Sequence, residues 1–309
     1  MTDIVIAEFM DEQAVQEHLG GYEVLYDPKL VDDPQRLIGA LSDCRALIVR
    51  NRTQVRAALL EAAPQLQVVG RLGVGLDNID MPACAARGVR VFPATGANDL
   101  AVAEYVICAC MILLRRAWFA TSRVAGGAWP RMELIGQELS GKRLGLIGFG
   151  AIARLTACKA LALGMGVAAY DPFVPAADAA WRGIERMELP QLLGCSDVIS
   201  LHIPLTPKTR HLIDAEAIAQ MKEGSIVVNA ARGGVLDEAA LIEGLRSGRL
   251  GGAAIDVFEC EPLGVAAGGP WQDLPNVILT PHIAGVTAES NVRVSDVIAR
   301  TIRDALSSR

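Results

Sequence analysis

The sequence predicts an α/β protein made of two doubly wound, parallel-sheet domains. Three observations carry that expectation. Short apolar runs alternate with helical patterns along most of the chain, as in repeated strand–helix–strand units. The 309 residues are enough for two domains, each burying its own core. Most tellingly, the apolar run 144–147 turns through Gly148-Phe149-Gly150-Ala151-Ile152-Ala153 into a helical pattern, and a second apolar run ends about twenty residues later at Asp171.

Composition narrows the function classes. Hydrophobic residues make up 51% of the chain and aromatic residues 5%, and the formal charge is −6. That balance offers no general attraction to nucleic acid or to anionic membranes. The longest apolar run, 105–114, is too short to span a bilayer and is bracketed by Glu104 and Arg115-Arg116. Seven scattered cysteines without a C-x-x-C pair imply neither a disulfide framework nor a zinc site, so a reducing cytoplasm and no metal are expected. The start, Met1-Thr2-Asp3, has no basic stretch of the kind that opens an export signal.

Taken in order, residues 3–7 read as a strand, 12–19 as a helix and 22–26 as a second strand. Asp33 opens a helix with Pro34 in its first turn, where a missing N–H costs nothing. The strand 46–49 ends in Arg50-Asn51-Arg52-Thr53. After a helix to residue 63, the strand 67–69 ends in Gly70-Arg71-Leu72-Gly73-Val74-Gly75-Leu76-Asp77-Asn78, and a strand over 89–92 follows. Asn98 or Asp99 is expected to cap a helix running to Ser122. It is apolar on more than one face, which calls for cover on both sides, and a homodimer interface is expected in or near it. His18 and His211 read as surface or helix-end residues, and His202 as packing near a cofactor. Strands at 197–201, 225–228, 252–255 and 277–279 each end in polar residues, and 287–306 reads as one amphipathic helix.

The glycine turn has a chemical reading. Gly148 permits the sharp turn, and Gly150 lets the backbone approach a diphosphate at a helix N-terminus with free N–H groups. Ala153 fills the third small position. A carboxylate at Asp171 would accept hydrogen bonds from a ribose diol, which favours NAD over its 2′-phosphorylated form. Arg232, Glu261 and His282 stand beyond three successive predicted strands of the same sheet. A histidine backed by a carboxylate can exchange a hydroxyl proton, and a fixed guanidinium can hold a carboxylate and polarise a carbonyl. That set suits hydride transfer at an alcohol carbon.

Across nearly its whole length the chain resembles the D-isomer-specific 2-hydroxyacid dehydrogenases. The resemblance rests on Gly70-Arg71 through Asp80, Gly148-Phe149-Gly150-Ala151-Ile152, Asn229-Ala230-Ala231-Arg232-Gly233-Gly234, Asp256 through Glu261-Pro262, and Pro281-His282-Ile283-Ala284-Gly285. It implies a Rossmann cofactor domain, 99–282, inserted into a flavodoxin-like substrate domain made of 1–98 and 283–309. It implies catalytic roles for Arg232, Glu261 and His282. Cofactor contacts are implied at Gly148, Gly150, Ala151, Ile152, Asp171, Ile203, Pro204, Ala230, Arg232, Asp256 and Gly285, with Asp256 near the carboxamide. The departure is Ala153, where the family more often has glycine.

Arg50, Asn51, Arg52 and Arg71, with backbone at Val74 and Gly75, are the expected substrate-binding set. They carry more positive charge than lactate or glyoxylate needs. The stretches Val49-Arg50-Asn51-Arg52-Thr53 and 70–80 are similar to those of phosphoglycerate dehydrogenases and, more closely, of (S)-sulfolactate dehydrogenases. A small anionic 2-hydroxy or 2-oxo acid is therefore the expected partner, with (S)-3-sulfolactate favoured. The alternatives are 3-phosphoglycerate and hydroxypyruvate- or glyoxylate-type acids. Sulfur raises the priority of C3, so D-configured sulfolactate carries the S label. An expectation of another class stays open: corepressors of the C-terminal-binding-protein type resemble this family and use the fold to sense NAD(H).

Overall fold

A computed structural model describes residues 2–307, with Ala117 described by its backbone alone. The chain divides into two compact units, 1–98 with 286–309, and 99–285. The second crossing therefore falls three residues later than 282/283. The reason is local: the N–H groups of Ile283 and Ala284 donate to the carboxylate of Asp256, which holds them to the inserted unit.

The first unit runs β1 (Ile4–Ile6), α1 (Glu12–Leu19), β2 (Val24–Tyr26), α2 (Pro34–Ala40), β3 (Ala46–Val49), α3 (Ala57–Ala62), β4 (Val68–Arg71), α4 (Met81–Ala86) and β5 (Arg90–Pro93), with the C-terminal helix Ala288–Ser307. Its five strands are all parallel, in the order β2-β1-β3-β4-β5. Side chains alternate between faces along each strand. Ile4 and Ile6 face one core with α1 and the C-terminal helix, while Val5 faces the other with α2 and α3. Asp11, Asp33 and Asp80 each cap a helix by accepting a backbone N–H at its first turn. His18, expected at the surface or at a helix end, lies in the last turn of α1, where it is nearly covered and 2.6 Å from Asp296 of the C-terminal helix.

The second unit runs α5 (Asp99–Arg115), α6 (Thr121–Ala125), β6 (Arg143–Ile147), α7 (Ala151–Ala162), β7 (Gly166–Tyr170), β8 (Glu185–Arg186), α8 (Leu189–Cys195), β9 (Val198–Leu201), α9 (Ala215–Gln220), β10 (Ser225–Asn229), α10 (Glu238–Arg246), β11 (Leu250–Ile255), α11 (Val265–Gly268) and β12 (Val277–Leu279). Seven parallel strands lie in the order β12-β11-β10-β9-β6-β7-β8, so the order reverses between β6 and β9. Open α/β sheets bind their ligands at such a switch point.

The expected helix to Ser122 stops at Arg115, because Arg116 takes a left-handed φ of 56° and a short turn of 3₁₀ helix follows. Val106, Ala109, Cys110, Leu113 and Leu114 of α5 are buried against the sheet and α7, so most of this helix's apolar surface is covered inside its own unit. Leu100 and Met111 of α5 are exposed, and a longer series of exposed apolar side chains follows it, at Trp118, Phe119, Val124, Trp129, Met132 and Ile135.

Gly70, on β4, is a packing residue rather than a ligand-side one. A Cβ there would come within 2.7 Å of Ile298 and 3.1 Å of Ile302, both on the C-terminal helix. Gly70→Ala should therefore push that helix outward and lower the unfolding midpoint, with a cost of about 1–3 kcal/mol in overpacking. Thermal and urea melts followed by circular dichroism would show it, and an unchanged midpoint would refute the close-packing account.

Candidate active site

The second unit gathers its polar residues at the carboxyl ends of β6, β9, β10, β11 and β12. At β6, Gly148 adopts a φ of +90°, and a Cβ there would lie 2.5 Å from the carbonyl oxygen of His202 at the end of β9. Glycine is required both by backbone conformation and by this close approach. Gly150 differs: a Cβ would meet nothing within 4 Å, so open space lies before the first turn of α7. No side chain caps that helix, so the N–H groups at its N-terminus are left for an anion. Ala151 and Ile152 open α7, and Ala153 is fully buried against the sheet, where the third small residue of the fingerprint belongs.

Asp171 follows β7. One carboxylate oxygen accepts from Phe149 N–H and the other from Phe173 N–H, both at 2.8 Å. The carboxylate thus ties the glycine turn to the end of β7, and each oxygen keeps a further lone pair. Ile203 and Pro204 follow β9 beside Gly148. Burial pushes His202 down to about 4, so it is neutral at physiological pH, within 2.9 Å of Ser200 Oγ. This uncharged, partly covered ring is not a proton carrier of the kind the chemistry needs.

The loops after β10, β11 and β12 hold the titratable set. Asn229, buried at the end of β10, donates from its amide to Arg232 O and accepts from Ala231 N–H, which fixes the turn through Ala230 to Arg232. After β11, Glu261 Oε1 accepts from Phe258 N–H at 3.0 Å and Oε2 lies 2.8 Å from His282 Nδ1. A carboxylate only accepts, so His282 carries its proton on Nδ1, which leaves Nε2 as the unprotonated nitrogen of the neutral ring. Burial pushes the Glu261 carboxyl up. The hydrogen bonds from His282 and Phe258 N–H, with the His282 and Arg232 charges, outweigh it, and the group lies below its ordinary value. Glu261 is therefore ionised across the neutral range.

Asp256, 1% exposed, accepts from Thr280 Oγ1, Ile283 N–H and Ala284 N–H. Its own carbonyl oxygen accepts from His282 N–H. Gly285 ends the same loop. Among the described residues, no group of three or more His, Cys, Asp or Glu side chains could hold a metal ion.

In the first unit, the loops after β3 and β4 are joined by Asn78, whose amide donates to the carbonyls of Arg50 and Thr53. The buried carboxylate of Glu8 accepts from Arg50, Arg52 and Thr53 N–H, a brace not signalled by any sequence motif. The Arg50 guanidinium lies over the Phe9 ring and bonds Asn291. Burial lowers it from its ordinary value, opposed by the Glu8 charge. Arg71 folds back over Gly73, where no side chain would fit beneath its guanidinium, and donates to Leu72 O. Val74 and Gly75 follow. Asn51 and Arg52 are exposed, and Arg52 is paired with Asp32.

Residues 107–284 match the model of the D-isomer-specific 2-hydroxyacid dehydrogenase, NAD-binding domain. The chain belongs to that family. It is 53% identical to the (S)-sulfolactate dehydrogenase of Chromohalobacter salexigens, over the whole of both chains. It is 43% identical to the D-3-phosphoglycerate dehydrogenase of Mycobacterium leprae over 89% of its own length, but spans only 52% of that relative. Among solved structures, the D-lactate dehydrogenase of Aquifex aeolicus complexed with NAD and lactic acid superposes with a TM-score of 0.85 at 28% identity, covering 98% of this chain and 95% of that one. The protein is thus an NAD-dependent 2-hydroxyacid dehydrogenase.

Proposed function

We propose that this dehydrogenase oxidises a D-configured 2-hydroxy acid with an anionic group on C3, (S)-3-sulfolactate being favoured, to the 2-oxo acid. The observation that carries the catalytic part is the Glu261–His282 pair, which leaves Nε2 as the unprotonated nitrogen of the neutral imidazole. Bound NAD would supply the hydride acceptor for C2. His282 Nε2 takes the hydroxyl proton, and Glu261 holds the tautomer and balances the imidazolium that forms. Arg232 holds the α-carboxylate and polarises the C2 oxygen. The backbone at Gly148, Gly150, Ala151 and Ile152 cradles the diphosphate, and Asp171 offers its remaining lone pairs to the ribose. Ile203, Pro204, Ala230, Asp256 and Gly285 line the cofactor side.

For the substrate, the support comes from two sources. Arg50 follows β3 and Arg71 ends β4, at two strand ends whose loops Asn78 ties together. The full-length relative at 53% identity is a sulfolactate dehydrogenase. Arg52, held by Asp32, is the weaker member of the set, and Asn51, Val74 and Gly75 contribute through the same two loops. We further propose a homodimer. The exposed apolar series from Trp118 to Ile135 would be covered by a second copy, which replaces α5 as its main interface.

His282→Ala should reduce turnover by at least a hundredfold while NADH affinity stays within about twofold, since proton transfer alone is lost. Glu261→Gln removes the negative charge that favours imidazolium. The acidic limb of the oxidation pH profile should move to lower pH, with a lower kcat. Steady-state kinetics and NADH fluorescence titration check both, and near-normal turnover in His282→Ala would require another proton carrier.

Arg50→Ala and Arg71→Ala should each cost roughly ten- to a hundredfold in kcat/KM toward sulfolactate, from loss of a charge-assisted hydrogen bond, with lactate little changed. A panel of sulfolactate, 3-phosphoglycerate and lactate decides. Best activity on lactate, or equal losses on all three acids, would refute the C3-anion reading.

Sedimentation at micromolar concentration should give twice the chain mass. A monomer there would refute the homodimer.

A further inference from the structure

Tyr105 lies in the middle of α5, a helix otherwise given over to apolar packing. A phenylalanine would fill the same space, so the hydroxyl calls for its own explanation. It sits 2.6 Å from Thr280 Oγ1, which in turn lies 2.6 Å from Asp256 Oδ1. Proton direction follows from the donor inventory. Asp256 already accepts from two backbone N–H groups, so Thr280 gives it its single proton. Only lone pairs remain on Thr280 for Tyr105, and the phenol must donate. Burial pushes that phenol up to about 12, so it keeps its proton.

The end of this chain is the loop that carries His282. Asp256 grips residues 280, 283 and 284 with its carboxylate and residue 282 with its carbonyl oxygen. Between those anchors His282 is held at a φ of +57°, a conformation that a non-glycine residue keeps only when its surroundings impose it. We propose that Tyr105 is a positioning residue for His282, acting through Thr280 and Asp256 to hold the imidazole at its reactive angle. The proposal rests on the reading of His282 as the acid–base group.

The test uses the full-length chain with Tyr105→Phe, Thr280→Val and Thr280→Ser, each alone, and Tyr105→Phe combined with His282→Ala. Tyr105→Phe and Thr280→Val should lower kcat about tenfold, the equivalent of one lost hydrogen bond, with NADH affinity within about twofold. Thr280→Ser, which keeps the hydroxyl, should restore kcat to near the wild-type value. In the His282→Ala background, Tyr105→Phe should change the residual turnover little, because both act through one group. Should Tyr105→Phe fail to fold, the valine–serine contrast at Thr280 decides. Wild-type kcat in Tyr105→Phe or Thr280→Val overturns the proposal. So does a kcat loss matched by weaker NADH binding and a lower melting temperature, which marks packing alone. His282→Ala by itself separates the two levels: if it stays active, the acid–base reading fails. If it is inactive while Tyr105→Phe is normal, only the positioning role fails.

Discussion

Because all seven strands of the larger sheet run in one direction, their carboxyl ends meet a single edge, and every loop leaving that edge starts from a fixed place. The rest of the site depends on this constraint. Residues as far apart in sequence as Gly148, Asp171, Arg232, Glu261 and His282 need no long-range pairing of their own to share one edge. The strand order then selects the position along it. Reversal between β6 and β9 marks the switch point, where Gly148 and the His202 carbonyl approach too closely for any side chain.

Within that frame the finer positioning is done by carboxylates that accept from backbone N–H groups. Asp171 ties the glycine turn, Asp256 holds the His282 loop, Glu261 bonds Phe258 N–H, and Glu8 braces the loop after β3. Glu261 and Asp171 also have a chemical partner outside the backbone in the proposed mechanism, and Asp256 joins the Thr280 hydroxyl to the cofactor side. Glu8 is a brace alone. A buried carboxylate satisfied by several N–H donors is costly to misplace, because any one lost bond leaves charge poorly solvated. Such bonds tie each loop to the end of the strand it follows.

Much of this was legible in the sequence, and the pattern of what was not is physical. Strand ends are readable because apolar runs stop sharply, so the loops bearing Arg232, Glu261 and His282 could be placed on neighbouring strands. The two-residue β8 is too short to show a period. The break at Arg116 carries no glycine or proline to announce it, since an arginine there takes a conformation its own sequence does not favour. Glu8, Asn78 and Thr280 act by reaching across to other loops, and tertiary reach leaves no local spacing. Gly70 and Gly73 look alike in a glycine-rich stretch, yet one makes room for a helix and the other for the Arg71 side chain. Arg52, equal to Arg50 on paper, is turned to the surface by Asp32.

The C-terminal helix has a consequence for how the chain is made. Val294, Ile298, Ala299 and Ile302 complete one of the two cores of the smaller sheet, although its strands all lie within the first 98 residues. During synthesis those strands precede the helix Ala288–Ser307, so until it follows, only α1 of the two helices packed on that core can cover it. The segment 99–285, by contrast, is contiguous and carries all the strands and helices of its own unit, so the smaller sheet is the one whose core must be closed across a long insertion.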